Sequence, residues 1–295
     1  MLRAALCAAL ASVCLNAPAA AQAPAKPQRI VSTNLCTDQM LLYLVEPERI
    51  ISLTYLSWKN DATPPRFRDA LSRIKPNHGL AEEVLRMDPD LVIAGAYSAR
   101  FTTSLLRRLG KDVVEFEPDN SFDDMYADFR KMGDLVGERE RAETLIRDFQ
   151  TELARLEADS PAGDKPVYAA FEPNMGVVGK DMFLSEVVNA GGFQTLGEAM
   201  GFSGYRNLPI EQIVQLTPDL ISTDPGYGSP AMATDILRHP LMRRMTATIP
   251  ELNIPPRYTN CPTPETLEAV RMLVEARKRL RAQPRGSAPK ATLIQ

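Results

Sequence analysis

Histidine is scarce in this 295-residue chain, which contains only His78 and His239. Neither histidine lies in a metal-ligand spacing, and proteins that hold a bare zinc ion generally use several histidine or cysteine ligands. We therefore expect no bare metal site and no resident cofactor.

The sequence also lacks the short motifs that mark common enzyme classes. It contains no Gly-x-Ser-x-Gly nucleophile elbow, no phosphate-binding loop and no dinucleotide-binding fingerprint. An exported thiol-dependent hydrolase with Cys36 as its nucleophile is the enzymatic alternative, and Asp38 would then orient a base. Asp38 more simply caps the helix that follows it, so we expect a binding protein rather than an enzyme.

Basic clusters and long apolar runs are missing as well. The chain carries 34 basic and 37 acidic side chains without a basic run, so nucleic acid is not an expected partner. An apolar run from Ala4 to Leu15 follows Arg3, and it is shorter than the roughly 20 residues that cross a bilayer. Two cleavage sites of the small-x-small type follow, Ala19-Ala20-Ala21 and Ala21-Gln22-Ala23. A basic residue, a short apolar run and such a site are together typical of a secretory signal peptide. We expect residues 1–23 to be removed on export to the periplasm.

Only four cysteines are present, and two of them, Cys7 and Cys14, lie in the predicted signal peptide. The mature chain keeps Cys36, which follows the first predicted strand, and Cys261, which follows the last. Three alternatives are open for this pair: a disulfide, soft ligands to a metal, or unlinked thiols. The oxidising compartment favours the disulfide.

What the chain does contain is a regular alternation of short apolar strands and helical segments, which is typical of parallel-sheet domains. A charged, amphipathic stripe over residues 138–158 predicts a helix roughly 30 Å long. The predicted fold class is α/β, with two lobes, each a mainly parallel sheet flanked by helices, joined by one long interlobe helix. We place the N-terminal lobe at 28–136, the interlobe helix at 138–158, the C-terminal lobe at 165–281 and a flexible tail at 282–295. The last predicted strand is Leu252–Ile254, and the last predicted helix begins at Thr263.

One internal repeat relates the two halves of the chain. Glu82 lies seven residues ahead of Pro89, and Glu211 lies seven residues ahead of Pro218. In both places a Pro-Asp pair then opens an apolar strand. The repeat predicts two lobes of related build.

Together with the opening segment Arg29–Ser32, these features resemble the periplasmic substrate-binding proteins of ABC importers, in the class that carries iron-siderophores and cobalamin. The resemblance implies a monomer that delivers a small-molecule metal chelate, cobalamin or a ferric siderophore, to permease subunits in the inner membrane. Haem is the alternative ligand. The resemblance also implies that Glu82 and Glu211 dock on permease arginines. A protein that hands its ligand to a sensor instead of a permease stays open as a further alternative.

Ligands of open parallel sheets bind beyond the carboxyl ends of the strands. The loops predicted at those ends are rich in aromatic side chains, which offer a large contact area to a rigid chelate. Arginines in the same loops favour an anionic group on the ligand. We expect the ligand-binding residues to be Asn34, Cys36, Tyr55, Trp58, Tyr97, Tyr205, Arg206, Tyr227, Arg257 and Tyr258.

Overall fold

The structure is a computed structural model that describes residues 26–59, 62–98, 100–213, 215, 217–223 and 239–282. The predicted signal peptide, residues 283–295 of the predicted tail and the candidate ligand residue Tyr227 lie outside the described residues. Within the described ranges, none of the helices is long and apolar enough to cross a membrane.

The N-terminal lobe is built on a parallel sheet with the strand order β3-β2-β1-β4-β5. Ile30 and Ile93 of this sheet are buried in one apolar cluster, whereas Val31 and Val92 are buried in another. Both faces are therefore covered, which explains why the central strands are continuous apolar runs. The strands are β1 (Ile30–Ser32), β2 (Ile50–Thr54), β3 (Lys75–Asn77), β4 (Leu91–Gly95) and β5 (Val113–Phe116).

Helices flank this sheet and connect its strands. The last of them begins where Ser121 Oγ accepts a hydrogen bond from the backbone N–H of Asp124, at 3.1 Å. It ends at Gly137, whose φ of 72° is a left-handed conformation that glycine adopts without steric cost. The helices are α1 (Leu35–Leu44), α2 (Arg68–Arg73), α3 (Ala81–Arg86), α4 (Arg100–Arg108) and α5 (Phe122–Val136).

The long helix α6 (Arg139–Asp159) leads from this lobe into the C-terminal lobe. There a parallel sheet has the order β10-β6-β8, and β7 pairs with β9 in an antiparallel ribbon. The strands are β6 (Val167–Ala170), β7 (Gly176–Val178), β8 (Gln194–Thr195), β9 (Tyr205–Asn207) and β10 (Leu220–Ser222). The helices are α7 (Phe183–Ala190), α8 (Leu196–Ala199), α9 (Ile210–Ile213), α10 (Pro240–Thr246) and α11 (Thr266–Ala282).

Helix α6 packs against both lobes. Its buried Phe149 belongs to an apolar cluster that contains Leu41 and Phe129 of the N-terminal lobe and Val187 and Leu273 of the C-terminal lobe. Because one core runs through all of these helices, the lobes are joined by a packed element rather than by a free linker. The architecture confirms the predicted α/β class, with two lobes and a connecting helix.

The sequence repeat corresponds to equivalent backbone contacts in the two lobes. The N–H of Asp90 donates to the carbonyl of Arg29, and its carboxylate accepts from the N–H of Arg29 at 2.9 Å. Asp219 makes the same reciprocal pair with Val167, with its carboxylate 2.8 Å from the Val167 nitrogen. Each aspartate thus fixes the start of its own strand against the first strand of the same sheet.

Two predicted element bounds near the C-terminus were wrong. Residues 252–254 form no strand, and the pairing there is a single bridge between Ile221 and Glu251, because Pro250 and Pro255 lie on either side. Helix α11 begins at Thr266 rather than at Thr263, since the chain first makes tighter turns in which Thr266 N–H bonds the Thr263 carbonyl.

Candidate ligand-binding cleft

The carboxyl ends of the two parallel sheets meet beside a disulfide. Cys36 lies in the first turn of α1, directly after β1, and its sulfur is bonded to Cys261, which precedes α11. Next to Cys261, Asn260 lines a pocket together with Ala170 and Ser222, the last residues of β6 and β10. The two sets of strand ends therefore border one cleft, at the place where parallel-sheet proteins bind ligands. Of the three alternatives for the cysteine pair, the structure contains the disulfide.

Asn34, a predicted ligand residue, starts helix α1. Its Oδ1 accepts hydrogen bonds from the backbone nitrogens of Cys36 and Thr37, at 2.9 and 3.3 Å. Its amide also lies above Gly95, where an added Cβ would come within 2.7 Å of Asn34 Nδ2. Asn34 therefore positions Cys36 and the end of β4, and its oxygen is already occupied.

Asp38 does not cap α1, contrary to the expectation, because Asn34 takes that position. The Asp38 side chain is fully buried, and its Oδ2 accepts hydrogen bonds from the Thr54 N–H at 2.9 Å and the Ser57 hydroxyl at 2.7 Å. Burial raises the pKa of this carboxyl well above its usual range. Asp38 thus ties α1 to the loop after β2, which carries two of the predicted ligand residues.

A polar contact also joins the two lobes. Arg66 pairs with Glu265 at 2.7 Å, and the Tyr43 hydroxyl donates to the same carboxylate at 3.3 Å. The Arg66 guanidinium also lies 4.8 Å from the centroid of the Tyr43 ring. Burial raises the pKa of Tyr43, so its hydroxyl stays protonated and remains a donor. Sequence reasoning missed this contact, because 199 or more positions separate Glu265 from its partners.

The N-terminal lobe presents three of the predicted aromatic residues at its carboxyl edge. Tyr55 and Trp58 follow β2 and are 37% and 39% exposed, while Tyr97 follows β4 and is 69% exposed. Tyr55 stacks on His78, with ring centroids 4.9 Å apart. Arg100 lies 5.5 Å from the Tyr97 centroid. These rings are accessible and lie at the carboxyl ends of β2 and β4, the two strands on either side of β1.

The C-terminal lobe places its predicted residues differently. Tyr205 lies in strand β9 rather than in a loop, because it pairs with Val178 of β7. The Arg206 guanidinium packs on the Phe202 ring at 4.5 Å, and the Arg257 guanidinium packs on the Tyr258 ring at 4.6 Å. Both arginines therefore already have aromatic partners, and their contact with a ligand anion stays a prediction.

Glu172 is a cleft residue that sequence reasoning missed. It follows β6, lines the same pocket as Asn260, and is half-buried, which raises the pKa of its carboxyl. The turn after it contains Asn174 at a φ of 58°, and Gly176 closes the turn by exchanging two backbone hydrogen bonds with Glu172. A sequence signal was available, because Glu172 directly follows the apolar run of residues 167–171.

The two candidate docking residues occupy equivalent places in the lobes. Glu82 lies in the first turn of α3 and Glu211 in the first turn of α9, and both side chains are exposed. Carboxylates in the first turn of a helix are favoured by the helix dipole. Over the ranges that the structure describes, no group of three or more histidine, cysteine, aspartate or glutamate side chains is arranged to hold a metal ion.

Two lobes with a cleft at their strand ends and one connecting helix define a class of proteins that bind ligands between lobes. This chain belongs to the periplasmic binding protein family, whose model matches residues 30–250. The family assignment confirms that it is a binding protein of the ABC-transporter type rather than an enzyme.

Individual relatives agree with this assignment. The chain is 23% identical over 216 residues to the uncharacterized ABC transporter substrate-binding lipoprotein YvrC of Bacillus subtilis, covering 70% of this chain and 67% of the relative. It is 25% identical over 206 residues to a cobalamin-binding protein of Halobacterium salinarum, covering 67% of this chain and 54% of the relative. The solved periplasmic heme-binding protein RhuT from Roseiflexus sp. RS-1 has the same fold, with a TM-score of 0.69 and 21% identity, over 87% of this chain and 99% of that one.

Proposed function

We propose that the mature protein binds a metal chelate in the cleft between its lobes and delivers it to the permease subunits of an ABC importer in the inner membrane. The Halobacterium relative is named for cobalamin and the Roseiflexus structure for haem, and the resemblance to the iron-siderophore class adds ferric siderophores. We place cobalamin or a ferric siderophore first, with haem as the alternative.

The observation that carries this proposal is the aromatic edge of the N-terminal lobe. Tyr55, Trp58 and Tyr97 offer three accessible rings at the carboxyl ends of β2 and β4, which flank the central strand β1. A flat, rigid macrocycle gains most from such a surface, because ring faces bury a large area at little cost in side-chain entropy. Glu172 on the opposite lobe adds a half-buried carboxyl for amide or hydroxyl groups at the rim of the ligand.

Trp58 is the only tryptophan in the chain, so its fluorescence reports on this edge alone. The mature protein is titrated with cyanocobalamin, haemin and a panel of ferric siderophores while the Trp58 emission is followed. We expect saturable quenching by one of these ligands, and calorimetry on the Trp58→Phe variant checks the affinity without the reporter. Failure of every ligand in this panel to bind by either method would contradict the proposed ligand class.

Docking would use the exposed carboxylates of Glu82 and Glu211. Two separated carboxylates on a rigid body fix its orientation on a two-fold permease and steer the encounter. The Glu82→Ala/Glu211→Ala variant should lose transport and keep its ligand affinity. The matched control is Glu140→Ala, an exposed glutamate of α6, which should transport normally. Normal transport by the double variant would refute the docking assignment.

Export and oligomeric state complete the proposal. We expect signal peptidase to remove residues 1–23, leaving a monomer in the periplasm. Mass spectrometry of the protein recovered from the periplasmic fraction reads the cleavage site, and light scattering reads the mass. A cytoplasmic protein that begins at Met1 would contradict this part of the proposal.

A further inference from the structure

Phe101 is an unusually exposed aromatic residue for a folded domain. Its side chain is 94% accessible, at the start of helix α4. The same helix buries Thr103 and Leu106 against the sheet. At 100° per residue these positions lie about 200° and 140° around the helix from Phe101, so Phe101 projects from the opposite face.

Leu80 is a second exposed apolar residue at the same edge of the lobe. It immediately precedes α3 and is 53% accessible. Helices α3 and α4 share one buried cluster, which includes Val84 and Leu106. The Thr102 hydroxyl donates to the carbonyl of Gly79 at 2.9 Å and joins the two helix starts. Leu80 and Phe101 are therefore presented together.

Phe101 is more accessible than the candidate cleft residues Tyr55, Trp58 and Tyr97, of which Tyr97 is the most exposed at 69%. Tyr55 and Trp58, on strand ends of the same edge, are covered over more than half of their surface. Phe101 has almost no cover, so it lies on the outer rim, where a macromolecule reaches it more readily than a ligand held between the lobes. Exposed aromatic residues on such rims are typical anchors of protein interfaces.

The charge beside this rim indicates the chemistry of the partner. Glu82 follows Leu80 by two residues and is exposed in the first turn of α3. A surface that accepts all three side chains needs a hydrophobic pocket next to a cationic group. We propose that Leu80 and Phe101 form an apolar anchor that inserts into the permease beside the cationic residue that binds Glu82. This inference rests on the proposed docking role of Glu82.

The test measures binding of the mature protein to the purified permease complex of its importer in lipid nanodiscs. Phe101→Ser should weaken that complex about tenfold or more, as expected for an aromatic anchor. Leu109→Ser is the matched control, since Leu109 is 54% accessible just beyond the other end of α4, and it should change the affinity less than about twofold. Thermal melting verifies that both variants fold like the parent protein.

Measurements at low and high ionic strength distinguish the apolar contact of Phe101 from the charge contact of Glu82. The effect of Glu82→Ala should shrink between low and high ionic strength, whereas the effect of Phe101→Ser should persist. Unchanged complex affinity for Phe101→Ser, with Glu82→Ala still weakened, overturns the anchor and leaves the proposed function intact. Loss of ligand affinity in Phe101→Ser, read from Trp58 fluorescence, assigns the residue to the ligand site and also overturns the anchor. If neither variant weakens the complex, the docking face itself is wrong.

Discussion

Cys36 and Cys261 are covalently joined although 225 positions separate them in the sequence. Cys36 belongs to the first helix of the N-terminal lobe, and Cys261 directly precedes the segment that leads into the last helix of the C-terminal lobe. With helix α6, the lobes thus have two covalent connections, and the Arg66–Glu265 pair adds a polar one. We expect a cleft with these connections to open and close over a small range, so that most of its shape is set before the ligand binds.

Reduction of the disulfide should lower the melting temperature of the protein. Loss of a native disulfide typically costs about 2–5 kcal/mol, and each kcal/mol shifts the melting temperature of a chain of this size by about 2–4 °C. Calorimetry with and without a phosphine reductant measures the shift. The Cys36→Ser/Cys261→Ser variant is the control and should not respond to the reductant. Complete reduction, verified by thiol titration, with an unchanged melting temperature would show that the bond does not stabilise the fold.

Asp38 should be replaceable by asparagine but not by alanine. Burial raises the pKa of this carboxyl well above its usual range, and the hydrogen bonds from Thr54 and Ser57 end on one oxygen, which an asparagine carbonyl reproduces. Asp38→Ala leaves the Thr54 N–H and the Ser57 hydroxyl without this acceptor and should destabilise the protein by about 2–4 kcal/mol. Denaturant unfolding measures both variants. The fluorescence anisotropy of Trp58 should fall only in Asp38→Ala, because the loop after β2 is then no longer held by Asp38. Equal stability and equal anisotropy of the two variants would contradict this role of Asp38.

The contribution of Tyr97 to ligand binding follows from its exposure. Because the ring is 69% accessible, Tyr97→Ala should leave the melting temperature nearly unchanged. We expect it to weaken chelate binding by about five- to thirtyfold, which corresponds to the loss of one aromatic contact of 1–2 kcal/mol. Tyr97→Phe keeps the ring and should bind nearly as the parent does. Full affinity in Tyr97→Ala would remove this residue from the site.

The sequence predicted those features that depend on local patterns. The strands around Ile30 and Val92 and the Pro-Asp repeat follow from apolar runs and proline, each of which acts within a few positions. The proximity of Cys36 and Cys261 followed from the rule that parallel strands share a carboxyl edge.

Features that depend on distant partners were not predictable in this way. In the sequence, Asp38 has the position of a helix cap. Its hydrogen bonds to Thr54 and Ser57, which hold the loop after β2, are formed only in the folded structure. Tyr205 was assigned to a loop because β9 is only three residues long and is defined by its pairing with β7.

Asp119 gives the stability of the protein a pH dependence with a defined sign. Burial and the neighbouring Asp128 carboxyl raise the pKa of Asp119 to about 8, while Asp124 adds further negative charge. Burial raises the pKa of the Asp128 carboxyl as well, although Lys131 and the hydrogen bond to Asp119 oppose that rise. The unfolded chain releases the Asp119 proton near its usual pKa of about 3.9. The folded state therefore binds more protons between these two values, and the stability from this group is full below pH 4 and lost as the pH rises through about 8.

Asp119→Asn removes this titration while keeping the size of the side chain. Its melting temperature should fall less than that of the parent protein between pH 5 and pH 9, because the raised pKa near 8 is no longer present. Asp148→Asn, at an exposed position of α6, changes the net charge equally and should keep the parent slope. Calorimetric scans at half-unit pH intervals compare the three proteins. If Asp119→Asn shows the same pH dependence of the melting temperature as the parent protein, Asp119 is not the group that holds the proton. Asp128→Asn must then reduce this pH dependence. If it does not, the carboxyl pair is not the cause of the pH dependence.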